Sequence, residues 1–210
     1  MAIKRIVDSM MNNALAQMVG FVLVACIVLV GCNRSNTPTL PNGTIIPLSE
    51  AFTGEFSLTD VEGKTQASRD YHGKASLIYF GFTNCPDICP AALSVMSAAL
   101  NELGEDANQV QTLFIALDPE QDTPAVLKDY LAFDPRISGL TGSQDQIEAA
   151  KQGFKVSSRR VDHPESALGY TIEHSSLFYL TGTDGVPKYA IRDNLSPQQL
   201  AGFLRVETRK

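Results

Sequence analysis

The chain has 210 residues, 44% of them hydrophobic and 19% charged, with a formal charge of -6. That length suits one domain or little more, and the composition excludes a disordered or low-complexity chain. The acidic balance excludes nucleic acid as the main partner, because phosphate binding needs clustered Lys and Arg. Four cysteines are too few for a disulfide scaffold, so their positions matter more than their number.

In chain order, Lys4 and Arg5 come first, and residues 9–33 carry no charge. Within them residues 18–30 are apolar except for Gly20. A positive start followed by about 7–15 apolar residues is the pattern of a secretory signal. A membrane span needs about 20 such residues. The run ends at Leu29-Val30-Gly31-Cys32, with polar residues after it. This resembles a bacterial lipobox, in which the cysteine is diacylated and cleavage occurs before it. Residues 1–31 are then expected to be a lipoprotein signal peptide that takes Cys26 with it, and Cys32 the lipidated first residue. The competing reading is an uncleaved anchor extended back through residues 14–16. Either way the protein is expected to be exported and membrane-tethered, on the periplasmic side or outer face of a bacterial cytoplasmic membrane.

Residues 36–46 are rich in Pro, Asn, Thr and Gly, a linker composition. The tether is placed at residues 32–47 and the folded domain at 48–210. Residues 75–82 form a nearly continuous apolar run, as does a strand buried on both faces. Leu93, Met96, Leu100 and Leu103 mark an amphipathic helix over 91–103. Residues 110–117 are a second buried strand. Thr123 caps a helix over 124–133, with Pro124 in its first turn. A short strand over 137–140 and a helix over 144–153 follow. Residues 156–168 are polar and charged and read as a long exposed loop. Residues 170–181 and 187–192 flank Gly182-Thr183-Asp184-Gly185 as an antiparallel hairpin. Ser196-Pro197 starts a last helix to about Arg205. The alternation alone predicts the α/β class. The expected thioredoxin-like fold, a mixed central sheet flanked by helices with an inserted strand and helix, matches this order but leans on the cysteine motif after the first buried strand.

The loop after the first buried strand reads Gly81-Phe82-Thr83-Asn84-Cys85-Pro86-Asp87-Ile88-Cys89-Pro90. Functional groups of open α/β sheets collect at such strand ends. A spacing of four brings Cys85 and Cys89 to one side of a first helical turn, where the helix N-terminus favours thiolate. Two thiolates suit Cu(I) or Zn(II) over Mg(II) or Ca(II), and His174 is the natural third ligand. Two thiolates and an imidazole suit copper, whereas closed structural zinc usually takes four ligands. Asp118 and Asp122 end the second strand on the same side and are either supporting or partner-docking acids, or simply a turn and helix start. His72 and His163 read as exposed bystanders.

These motifs, with Asp118-Pro119-Glu120-Gln121-Asp122-Thr123-Pro124, Leu140-Thr141-Gly142 and His174-Ser175, resemble the Sco/SenC family of copper-binding, thioredoxin-like cytochrome c oxidase assembly proteins. The similarity runs from about Leu48 to the C-terminus. It implies Cys85, Cys89 and His174 as ligands of a copper ion, Cu(I) or Cu(II). It also implies delivery of copper to the dinuclear centre of oxidase subunit II, or reduction of that subunit's cysteines. One departure is Glu173, where the family pattern has Asp. The competing activity is a thiol–disulfide oxidoreductase acting on an exported copper or thiol protein, with Cys85 and Cys89 as its redox pair. A peroxiredoxin-like peroxidase fits the fold, but the C-x3-C spacing argues against it.

Overall fold

The computed structural model describes residues 40, 42–166 and 168–209. The expected signal peptide with Cys26 and the expected lipidation site Cys32 lie outside the described residues.

Two seven-residue strands form the centre, β4 (Ala75–Gly81) and β5 (Val110–Ala116), paired in parallel from Ala75↔Val110 to Gly81↔Ala116. Every residue of β4 is buried, which is what a strand covered on both faces requires. Its side chains alternate between two cores. Leu77 and Tyr79 join the core on one face, and Ile78 and Phe80 join that on the other. β6 (Ile137–Thr141) continues the parallel set beyond β5. On the other side of β4 the sheet turns antiparallel through β9 (Leu177–Thr181) and β10 (Pro187–Arg192).

Three short strands complete the eight-stranded order β1-β10-β9-β4-β5-β6-β2-β3. β1 (Ile45–Pro47) pairs with β10, so the last residues of the expected linker join the sheet. β2 (Ser57–Asp60) and β3 (Thr65–Ala67) form a hairpin against β6. None of the three has enough apolar residues to announce itself in the sequence.

Helices cover both faces. α1 (Ile88–Leu103), α2 (Pro124–Tyr130) and α4 (Pro197–Glu207) contribute Leu93, Met96, Leu127, Leu200 and Leu204 to one core. α3 (Gln144–Phe154) contributes Ile147, Ala150 and Phe154 to the other. Their starts follow capping chemistry. Thr123 accepts from the Val126 amide, and Ser143 and Ser196 each form a reciprocal capping box with Gln146 and Gln199. The expected α/β architecture with an inserted strand and helix, β6 and α3, is therefore present.

Two sequence expectations are corrected. Residues 158–162 are a strand, not loop: β7 (Ser158–Asp162) pairs antiparallel with β8 (Tyr170–His174) in a separate two-stranded ribbon. Its charged sequence hides it because neither Arg159 nor Arg160 is buried. The expected single strand over 170–181 is likewise two strands. It breaks at Ser175-Ser176, so β8 pairs with β7 while β9 pairs with β10 and β4. Among the described residues no helix is long and apolar enough to cross a membrane.

Candidate metal centre

The site lies at the C-terminal ends of β4 and β5. After Gly81 the chain makes a tight turn in which the Cys85 amide donates to the Phe82 carbonyl at 3.2 Å. Cys85 stands just before α1 and Cys89 in its first turn. Pro90 follows there at no cost, since first-turn amides have no intrahelical acceptor. The Cys89 amide donates to Cys85 Sγ at 3.4 Å, so the helix start itself solvates that sulfur. Both cysteines are free thiols and both are buried.

Their protonation is unequal. The Cys85 thiol is held well below its ordinary value by the hydrogen bond it receives from Cys89, against the opposing effect of burial. Cys89 is pushed up, because that same bond favours its protonated form and because it is more deeply buried. The two thiols are thus driven in opposite directions, Cys85 toward thiolate and Cys89 toward thiol.

His174 ends β8, and its Nε2 stands 3.6 Å from Cys89 Sγ. Its Nδ1 lies 3.1 Å from the Ser175 carbonyl. A carbonyl can only accept, so in the neutral ring the proton sits on Nδ1 and Nε2 turns a lone pair toward the sulfurs. The rings of Tyr79 and Phe82 meet the imidazole edge-on, at centroid distances of 6.2 and 6.1 Å. Tyr79 also braces the return into β9. Its hydroxyl pairs with Ser176 Oγ at 3.0 Å, and Ser176 in turn donates to the Asp193 carboxylate.

The two acids after β5 have separate tasks. Asp122 is fully buried and accepts from both the amide and the hydroxyl of Thr83, at 3.1 and 2.5 Å, tying down the cysteine loop. Burial pushes its carboxyl up to about 6. Asp118 accepts from the Tyr170 hydroxyl at 2.7 Å, and thus reaches the strand that carries His174. Glu173 lies on the opposite face of β8 from His174 and pairs with Arg159 at 2.8 Å in solvent. His72 and His163 are both exposed.

Gly81 was not singled out by the sequence reading, yet it shapes the site. A Cβ there would fall 2.9 Å from both Cys89 Sγ and the Phe114 ring. Only a residue without a side chain leaves that sulfur its space. A lone Gly at the end of an apolar strand was the available signal. Among the described residues, no group of three or more His, Cys, Asp or Glu side chains has the spacing of a formed metal centre. Cys89 Sγ and the imidazole are in hydrogen-bonding contact instead.

A free dithiol at the mouth of a thioredoxin-like sheet, faced by one histidine, defines a class of thiol and soft-metal proteins. Comparison with known proteins narrows it. The SCO1/SenC family model matches residues 47–208, and the chain belongs to that family. It is 39% identical over 153 residues to the SCO2-like protein of Rickettsia felis, covering 72% of this chain and 75% of that one. The structure of Bradyrhizobium japonicum ScoI with copper bound superposes with a TM-score of 0.69 at 37% identity, over 75% of this chain and 99% of that one. BsSco, a member of the Sco family of cytochrome c oxidase assembly proteins in which a disulfide switch was identified, matches with a TM-score of 0.61 at 28% identity. The match spans 78% of this chain and 96% of that one.

Proposed function

We propose that this protein is a copper metallochaperone that assists assembly of the dinuclear copper centre of cytochrome c oxidase. In this reading Cys85, Cys89 and His174 hold the ion, and copper is cargo. The observation that carries it is the separation of 3.6 Å between Cys89 Sγ and His174 Nε2. Bonds of about 2.3 Å to thiolate and about 2.0 Å to imidazole, at trigonal to tetrahedral angles, separate S from N by roughly 3.5–3.8 Å. Two soft sulfurs and one imidazole match copper's preferences, and a three-donor set leaves a position for an incoming ligand from the recipient. Oxidase subunit II is the proposed recipient, and a lipid on Cys32 the proposed tether to the outer face of a bacterial membrane.

The test is copper stoichiometry on the anaerobically reduced protein, with His174→Ala beside it. About one copper per chain is expected, with an affinity loss in the variant at least as large as the roughly 10–100-fold that removal of a supporting partner costs. Failure of the reduced wild type to retain copper against a modest chelator overturns the reading.

The unequal protonation of the two thiols favours a second activity, thiol–disulfide exchange. The Cys85 thiolate would attack one sulfur of a partner disulfide, forming a mixed disulfide and expelling one partner thiolate. Cys89, losing its proton to that leaving group, would then attack Cys85 Sγ and release the second partner sulfur as a thiolate. The protein ends with a Cys85–Cys89 disulfide, oxidised by two electrons, and the partner is reduced by two. Disulfide reduction at wild-type rate by His174→Ala would separate this activity from copper binding.

A further inference from the structure

His174 does not belong to the main sheet. It is carried by the β7–β8 ribbon, which pairs with none of the eight strands. What fixes the ribbon therefore fixes the imidazole.

Side chains alternate along a strand, so Tyr170, Ile172 and His174 share one face of β8. That face looks inward. Ile172 packs partly buried against both cores, and His174 meets Cys89. Tyr170, about 13 Å away at four strand residues of rise, is itself buried. Its hydroxyl donates to the buried Asp118 carboxylate at 2.7 Å. A donor and an ionisable acceptor that are both removed from solvent make a short, directional bond.

A second residue clamps the same point from the neighbouring strand. Arg160 lies diagonally across the ribbon from Tyr170, with its guanidinium 3.4 Å from the centroid of the phenol ring. Its Nη1 donates to Glu120 at 3.1 Å. Glu120 and Asp118 belong to the same turn after β5, so ring and guanidinium both attach the ribbon to the strand end beside the cysteine loop.

We propose that Tyr170 and Asp118 form a latch that holds the ribbon against the end of β5 and thereby sets the position of the His174 imidazole relative to Cys89. Tyr170 is then a positioning residue for the thiol–imidazole site. With the latch closed, Nε2 stands at donor distance from the sulfur. With it open, the ribbon keeps its own β7–β8 pairing, but its His174 end is no longer fixed from the far side of Ile172. Only the affinity consequence rests on the copper reading.

Tyr170→Phe removes the hydroxyl and keeps the ring on which Arg160 stacks. On the full-length reduced protein without metal, the variant is expected to shift the His174 imidazole nitrogen resonances while those of His72 and His163 stay put. Against a chromophoric chelator, it is expected to bind Cu(I) about tenfold more weakly than wild type. The same substitution placed in His174→Ala should change Cu(I) affinity by less than about twofold, because its effect passes through the imidazole. Asp118→Ala, which removes the acceptor instead of the donor, should give the same pattern if Tyr170→Phe fails to fold. Unshifted His174 resonances overturn the latch, as does an equal affinity loss in the wild-type and His174→Ala backgrounds. If wild type holds no copper, the copper reading fails and the imidazole resonances still decide the latch.

Discussion

The cysteine loop and the β7–β8 ribbon meet at one site but are built in opposite ways. The loop issues from a strand buried on every residue and is tied by a fully buried carboxylate to Thr83. It ends in a sixteen-residue helix whose apolar face fills one core. The ribbon has charged residues on its outer face, pairs only with itself, and returns to the sheet through two serines. Buried, multiply bonded backbone opens only with much of the fold, whereas sparsely packed segments open locally. In the proposed copper site two of the three donors would therefore be fixed and one adjustable. A protein that must accept an ion and then surrender it gains from that division, since one donor can leave while two hold on.

The sharpest way to break this comparison is to remove a fixed donor. Cys89→Ser is expected to weaken Cu(I) binding more than about 100-fold, beyond what loss of a supporting residue costs, in a competition titration under anaerobic conditions. A loss smaller than that of His174→Ala would put the anchor of the site in the ribbon instead.

The rigidity of the loop has a pH signature. Burial raises the Asp122 carboxyl from an ordinary 3.8 to about 6, so between those values the folded state binds more protons than the unfolded one. Its contribution is complete below about pH 4 and is lost as pH rises through 6, a decline of roughly 2–3 kcal/mol. Urea unfolding of wild type and Asp122→Asn across that range should show the slope in their difference. A flat or rising difference would mean the carboxyl is not held neutral.

Gly81→Ala probes packing at the fixed sulfur. Its methyl group would meet both Cys89 Sγ and the Phe114 ring, and overpacking a buried site costs about 1–3 kcal/mol. Equilibrium unfolding within 0.5 kcal/mol of wild type would show that the thiol moves freely, contrary to the rigid picture. The smallest effect belongs to the ribbon's outer face. Glu173→Gln breaks a solvent-exposed pair with Arg159 and should change stability by less than about 1 kcal/mol. Copper affinity should also stay within about twofold. A larger change would show that the outer face also sets the imidazole.

The two regions were unequally legible from sequence. β4, β5 and α1 announce themselves because a strand covered on both faces and a helix with one apolar face leave strong periodic signals. The cysteine pair was readable from its motif, and the distant histidine only through that motif and the family resemblance. The ribbon was not, because its exposed Arg159 and Arg160 follow no apolar alternation. The break at Ser175-Ser176 was hidden inside a run whose composition suits a strand throughout. The separate tasks of Asp118 and Asp122 were invisible as well. Each depends on a partner, Tyr170 or Thr83, 52 or 39 residues away in sequence. Gly81 escaped because what matters there is missing volume, and no residue pattern records it.

The alternation along β8 also sets what insertions the gene can tolerate. Extra residues between β7 and β8 would leave Tyr170, Ile172 and His174 facing inward. One codon added or lost between Tyr170 and His174 would invert the faces. The latch could then close only with a neighbour of His174 turned toward the sulfurs, and where that neighbour is Glu173 a hard oxygen replaces a nitrogen donor. Length is thus free at one end of this ribbon and fixed to the residue at the other.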